Sequence, residues 1–166
     1  MTSAERMAQT LRDISQSDSE GDHYAAGTLV AAALDSLYDV LGDRPVRVVD
    51  TSTGRARRRP ADPARWVATL VAFAHERSAE GEPVELTVFD EPGFVCVSLR
   101  DRGGPLPAES FSALSLSPFA PALSAMPGGP LRWVRALARA NGGSLRVSNE
   151  TDGLTVVLAV PAIAAE

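Results

Sequence analysis

Lysine is absent from this 166-residue chain; all 16 basic side chains are arginine. Schiff-base chemistry, a lysine nucleophile and a Walker-type phosphate-loop lysine are therefore excluded. Cysteine is limited to Cys96 and histidine to His23 and His75, which leaves no disulfide framework and argues against a zinc site. A lone cysteine within an expected strand, together with the polar start MTSAERMAQTLRD where a secretory signal would be apolar, sets a cytoplasmic location as the expectation. No apolar run reaches membrane-spanning length, so no membrane partner is expected. Basic charge is short as well. The formal net charge is −5, opposite in sign to the face that neutralises phosphates, and no nucleic-acid partner is expected. The one basic cluster, Arg55 to Arg59, reads as a solvated loop.

What is present is ordinary for a folded domain, with 45% hydrophobic and 22% charged residues, and the length suits one main domain with a helical extension. Ser3 as a cap and Met7, Leu11 and Ile14 at helical spacing predict a short amphipathic helix over residues 2–15. The exposed connection SQSDSEGD follows. Val30, Leu34, Leu37 and Leu41 then mark a second helix, stopped at Gly42. Two narrow apolar stripes of this kind either pack on the main domain or pair with a second copy as a four-helix bundle. The division expected is a helical extension over 1–42 and a main domain over 43–166.

Within the main domain, Pro45 to Asp50 alternates as a strand, and TSTGRARRRPADP is loop. Asp62-Pro63 opens a helix with Asp at the cap and Pro at the first position. Its broad buried face comprises Trp66, Val67, Leu70, Val71, Phe73, Ala74 and Arg77. Residues 84–90 and 94–99 form a hairpin about Glu91-Pro92-Gly93. Residues 108–130 hold four prolines and two glycines without periodicity, the pattern of a long irregular segment. Leu131 to Asn141 is a helix with Leu131, Val134, Leu137 and Ala138 inward, stopped by Gly142-Gly143. LRVSN, the turn ETDG and LTVVLAV make a second hairpin, closed by Pro161. Strands mixed with helices on one side predict an α+β two-layer sandwich.

Asp101 stands just past the end of an expected central strand, followed at once by Gly103 and Gly104. A carboxylate there, beside backbone that a ligand can approach closely, reads either as a binding site or as a surface loop.

The order of elements, the stretch Asp101-Arg102-Gly103-Gly104-Pro105-Leu106-Pro107, and the segments Asn141-Gly142-Gly143-Ser144-Leu145-Arg146-Val147 and Asp152-Gly153-Leu154-Thr155 resemble the ATP-binding domain of histidine kinases, the GHKL or Bergerat-fold superfamily. The resemblance spans roughly residues 28–161. It implies a Bergerat-type sandwich, bacterial signalling through protein partners, and a homodimer through the N-terminal helices. It also implies a nucleotide site in which Asp101 accepts a hydrogen bond from the adenine amino group. If nucleotide is retained, the binding residues are Asp101, Gly103, Gly128, Gly129 and Thr155, with ATP and Mg²⁺ as cofactors.

Several positions depart from the family pattern. The asparagine that holds magnesium is replaced, on alignment of VATLVAFAHERSAEG, by Glu76. Carboxylate oxygen suits a hard cation but repels a triphosphate without it. Pro105 stands in place of a motif glycine. Pro130 stands where the family uses a glycine N–H on the phosphates, and proline has no donor to offer. Phe111 and Phe119 are either lid anchors or ordinary core residues. The phosphoacceptor helix is missing, and His23 lies in SEGDHYAAG without the expected acid partner. These losses favour a non-catalytic regulatory protein that acts by protein contacts and carries no cofactor. The alternatives are an ATP-binding protein or kinase acting on a partner, and a phosphotransfer protein using His23.

Overall fold

The computed structural model describes residues 2, 4–5, 23–42, 46–58, 61–78, 82–115 and 128–163. The expected helix carrying Met7, Leu11 and Ile14, its acidic connection, and Phe119 lie outside them. The elements in chain order are β1 (His23–Ala25), α1 (Ala26–Ser36), α2 (Tyr38–Leu41), β2 (Val46–Asp50), β3 (Arg55–Arg57), α3 (Pro63–Arg77), β4 (Val84–Glu91), β5 (Phe94–Arg100), α4 (Ala108–Ser112), a 3₁₀ turn (Ala113–Ser115), α5 (Gly129–Ala140), β6 (Ser144–Glu150) and β7 (Gly153–Pro161).

Five strands form one sheet in the order β2-β4-β5-β7-β6, and β1 pairs with β3 in a separate ribbon. Only β2 runs parallel to its neighbour, with Val46 opposite Val84 and Asp50 opposite Val88. The rest is antiparallel, and the central register places Val97 between Val88 and Leu158. Strand alternation sends Leu86, Val88, Val95, Val97, Leu99, Leu154, Val156, Leu158 and Val160 into the core. The β4–β5 turn closes on Gly93 at φ +81°, the conformation that a Pro-Gly turn requires.

The helical layer consists of α1, α3 and α5. Asp62 caps α3 by accepting the Ala64 N–H at 3.0 Å, with Pro63 at the first position, as the sequence pattern predicts. Trp66, Val67, Leu70, Val71 and Ala74 are buried beneath it, while Phe73 and Arg77 are half-buried on its flank. On α5 the buried apolar residues are Leu131, Val134 and Ala138, beside a buried Arg132, but Leu137 is 41% exposed. The expected inward position of Leu137 is thus corrected. At 100° per residue it sits on the edge of the stripe that the other three define.

Helix α1 packs on the sheet. Leu29, Val30 and Leu34 of α1 belong to the same hydrophobic cluster as the sheet. At roughly 1.5–3 kcal/mol for each buried aliphatic side chain they contribute about 5–9 kcal/mol, comparable to the total stability of a domain. Of the two arrangements open to the second helix, packing on the main domain is the one observed. Within the arginine cluster, Arg55 to Arg57 form a strand rather than a loop, because they pair with β1.

Candidate functional site

Asp101 is the first residue beyond β5, and its N–H still donates to Leu154 O at 3.1 Å, so the sheet itself fixes where the carboxylate points. The side chain is 3% exposed. Oδ1 accepts the N–H of Gly103 at 3.0 Å and of Leu154 at 3.3 Å. Oδ2 accepts Arg77 Nε at 3.1 Å. Arg77 comes from the last turn of α3, where a cation complements the carbonyl end of the helix. Its second arm, Nη2, donates to Gly104 O, and its guanidinium lies 5.6 Å from the centroid of the Phe73 ring. One arginine thus holds both the carboxylate and the backbone of the loop behind it.

That loop tolerates no bulk. A Cβ on Gly103 would stand 2.2 Å from the Arg77 carbonyl oxygen, and one on Gly153 would stand 2.0 Å from the Asp101 carbonyl oxygen. Farther along, Asn149 clamps the chain in both directions. It accepts the Leu106 N–H at 2.8 Å and donates to Leu106 O at 2.9 Å. Residues 101–106 are therefore fixed at one end by an ion pair and at the other by an amide pair.

Gly128, at φ +93°, precedes α5, and Gly129 begins it. A Cβ on Gly128 would approach Leu106 and Leu114 at 3.8 and 3.5 Å, so the start of α5 meets the far end of the Asp101 loop. The buried Arg132 guanidinium lies 3.6 Å from where a Cβ on Gly129 would stand. Pro130 occupies the first helical turn, as expected.

The remaining expected residues lie elsewhere. Thr155 pairs with Arg100 across β5 and β7 on the sheet face away from the helices; it donates to Glu150 Oε1 at 3.1 Å and accepts Arg100 Nη1 at 3.3 Å. Its neighbour Leu154, through backbone alone, is what touches Asp101. Glu76 is exposed on α3. Among the described residues no group of three or more His, Cys, Asp or Glu side chains is disposed to hold a metal. Phe111 is half-buried against the core. His23 lies on β1, where its Nδ1 accepts Arg55 Nε at 2.6 Å. No described helix is long and apolar enough to cross a membrane.

A nucleotide and magnesium fit these residues poorly. The carboxylate assigned to adenine has its outer oxygen on Arg77, the metal position is a lone exposed glutamate, and the helix start presents a proline. Arg77 and Asn149 went unassigned as site residues in the sequence. Arg77 was readable as the position one turn after Phe73 at a helix end, but the partner it takes depends on tertiary packing.

No family model matches the chain, and no curated protein sequence matches it. Solved structures do. The nucleotide-free catalytic domain of histidine kinase ThkA superposes with TM-score 0.67 at 19% identity, covering 84% of this chain and 94% of that one. The mycobacterial sensor histidine kinase MprB gives 0.67 at 18%, covering 86% and 98%. The Acinetobacter baumannii histidine kinase AdeS gives 0.63 at 16%, covering 97% and 76%. Identities this low establish architecture alone, and the five-stranded sheet under its helical layer is accordingly the fold of the histidine-kinase ATP-binding domain.

Proposed function

We propose that this chain is a non-catalytic regulatory protein on a histidine-kinase ATPase fold, acting in signalling through contacts with protein partners. The observation that carries the reading is the Arg77–Asp101 pair. For the carboxylate to read an adenine amino group, that group has to share Oδ2 with the Arg77 guanidinium, whose other arm holds Gly104 O, on a side chain that is 3% exposed. Glu76, Pro105 and Pro130 point the same way on the phosphate side.

Calorimetry with ATP and ADP, with and without Mg²⁺, tests it. No heat at millimolar nucleotide is the expected result; magnesium-dependent binding in the micromolar range would overturn the reading. One observation favours the alternative of a retained nucleotide site. Arg132 brings a permanent cation to the start of α5, where the helix end already attracts anions. In that case Arg132→Gln weakens nucleotide binding in the same titration.

A further inference from the structure

Strand β2 (Val46–Asp50) is one edge of the five-stranded sheet, and among the described residues no strand lies on its outer side. Its pairing with β4 fixes which backbone groups that edge leaves over. Asp50 stands opposite Val88, and the Thr51 N–H donates to Val88 O at 2.8 Å, so in this parallel ladder positions 47, 49 and 51 bond to β4. The N–H and C=O groups of Val46, Val48 and Asp50 therefore point outward. Side chains alternate across the same register. Val46, Val48 and Asp50 share the helix-side face with Val84, Leu86 and Val88, whereas Arg47 and Val49 share the open face with Glu85 and Thr87. Val48 is 36% exposed and Val49 57%. The other edge strand, β6, presents Arg146, Ser148 and Asn149 to solvent and ties Asn149 to Leu106. Sheet edges are commonly blunted by proline or by charge. Strand β2 holds no proline, and its one cation leans over its own sheet, with Arg47 3.8 Å from Glu85 on β4.

We infer that this edge is where a second copy of the chain joins, β2 against β2 in antiparallel sense, so that the two sheets become one. A row of outward N–H and C=O groups is matched by an extended strand and not by a helix, whose own backbone groups are already bonded. The sequence VRVVD then selects the copy. A two-fold axis through Val48 sets Val48 beside its own mate, Val46 opposite Asp50, and Arg47 opposite Val49. Every outward residue finds its bonding partner in that register. Neither charge faces its like: the Asp50 carboxylate, which already accepts the Ser52 N–H at 3.0 Å, meets an aliphatic side chain, and the Arg47 stem covers the exposed Val49. On the helix side, Val48 prolongs the buried row Leu86, Leu99 and Val156 into the same row of the second copy. Pairing of two such short strands buries less than the roughly 1,200 Å² of a lasting interface, so the dimer is weak, with a Kd of about 10 µM to 1 mM. It differs from a dimer through the N-terminal helices, and it does not rest on whether nucleotide binds.

Sedimentation equilibrium from about 10 µM to 1 mM measures the association, and amide hydrogen exchange reads the edge residue by residue. The expected result is a monomer-dimer equilibrium. The Val46, Val48 and Asp50 amides exchange more slowly as concentration rises, while those of Arg47, Val49 and Thr51 are slow throughout. Val48→Pro removes an outward N–H and no bond to β4, and it abolishes the dimer with the circular dichroism of the fold retained. Charges at position 49 test the register without touching the backbone. Opposite Arg47, Val49→Glu gains an ion pair from each copy and Val49→Lys a repulsion, so the glutamate variant associates more tightly than the lysine variant by about tenfold or more. A monomer at about 1 mM with fast Val48 and Asp50 amides would overturn the inference. So would equal association of the two variants at position 49, or a dimer that survives Val48→Pro, because the interface then lies elsewhere. Slow Val48 and Asp50 amides at every concentration would also overturn it, since another part of the same chain then covers the edge.

Discussion

Replacing Arg77 by methionine keeps most of the side chain's apolar stem and removes the charge that Asp101 faces. Asp101, 3% exposed in the native chain, retains the N–H groups of Gly103 and Leu154. Removing one member of a buried ion pair costs about 3–5 kcal/mol. The two remaining donors, and the 17% exposure of the Arg77 side chain, place this site at the lower end, about 3 kcal/mol. For a chain of this size that is a fall in Tm of about 6–12 °C. Asp101→Asn alone keeps an acceptor opposite the guanidinium and costs less, about 1–2 kcal/mol. The double variant leaves no stranded charge, so its loss falls short of the summed single losses by more than about 0.5 kcal/mol. Urea unfolding followed by circular dichroism measures all three variants. A loss below about 1 kcal/mol for Arg77→Met, or strict additivity in the double variant, would refute the view that Arg77 and Asp101 form a structural unit.

Gly153→Ala forces a methyl against the Asp101 carbonyl at 2.0 Å and is expected to cost about 3 kcal/mol, read as a lowered urea midpoint, whereas a wild-type midpoint would show that the loop yields. At the other end of the sheet the Ser52 hydroxyl, then the Thr53 and Gly54 N–H groups, hold the Asp90 carboxyl below its usual value of 3.8. A depressed carboxylate contributes stability present above the unfolded-state value and lost as pH falls through the lower folded-state value. The amide shifts of Thr53 and Gly54 should therefore titrate with a midpoint below 3.8, and Asp90→Asn should abolish that titration. Burial, with the Glu91 charge behind it, pushes the Cys96 thiol up to about 11. A disulfide reagent at about pH 8 should leave the native thiol untouched and label it fully in denaturant; fast native labelling would contradict the packing of β5.

Both hairpins, the cap and core face of α3, and the glycine stop of α5 were legible in the sequence, because turn chemistry and periodicity are local. The α+β sandwich and its resemblance to the kinase domain follow from the order of those elements. Four features needed the folded chain. β1 and β3 are three residues each, too short for any periodicity, and each exists through pairing with the other. Leu137 fits the α5 stripe by spacing, yet only the width of the layer beneath decides whether it is covered. Asp101 and Gly103 were expected together and do meet. Thr155 was matched one position from the residue that faces Asp101, and in a strand a one-residue offset moves a side chain to the opposite face. The partner of Asp101 was least visible of all, since Arg77 lies 24 residues away on another element.

Backbone pressed on backbone at Gly103 and Gly153 makes the aspartate-glycine signature of this loop self-supporting. Those glycines are demanded by carbonyl groups of the chain itself, and Asp101 is demanded by an arginine of the chain itself, so their presence carries little information about a ligand. In a lineage that relinquishes nucleotide, such positions stay while phosphate-side positions, free of internal demands, drift first. The informative letters for recognising function on this fold are then the ones opposite the signature: an uncommitted side chain at position 77, and donors rather than prolines at positions 105 and 130.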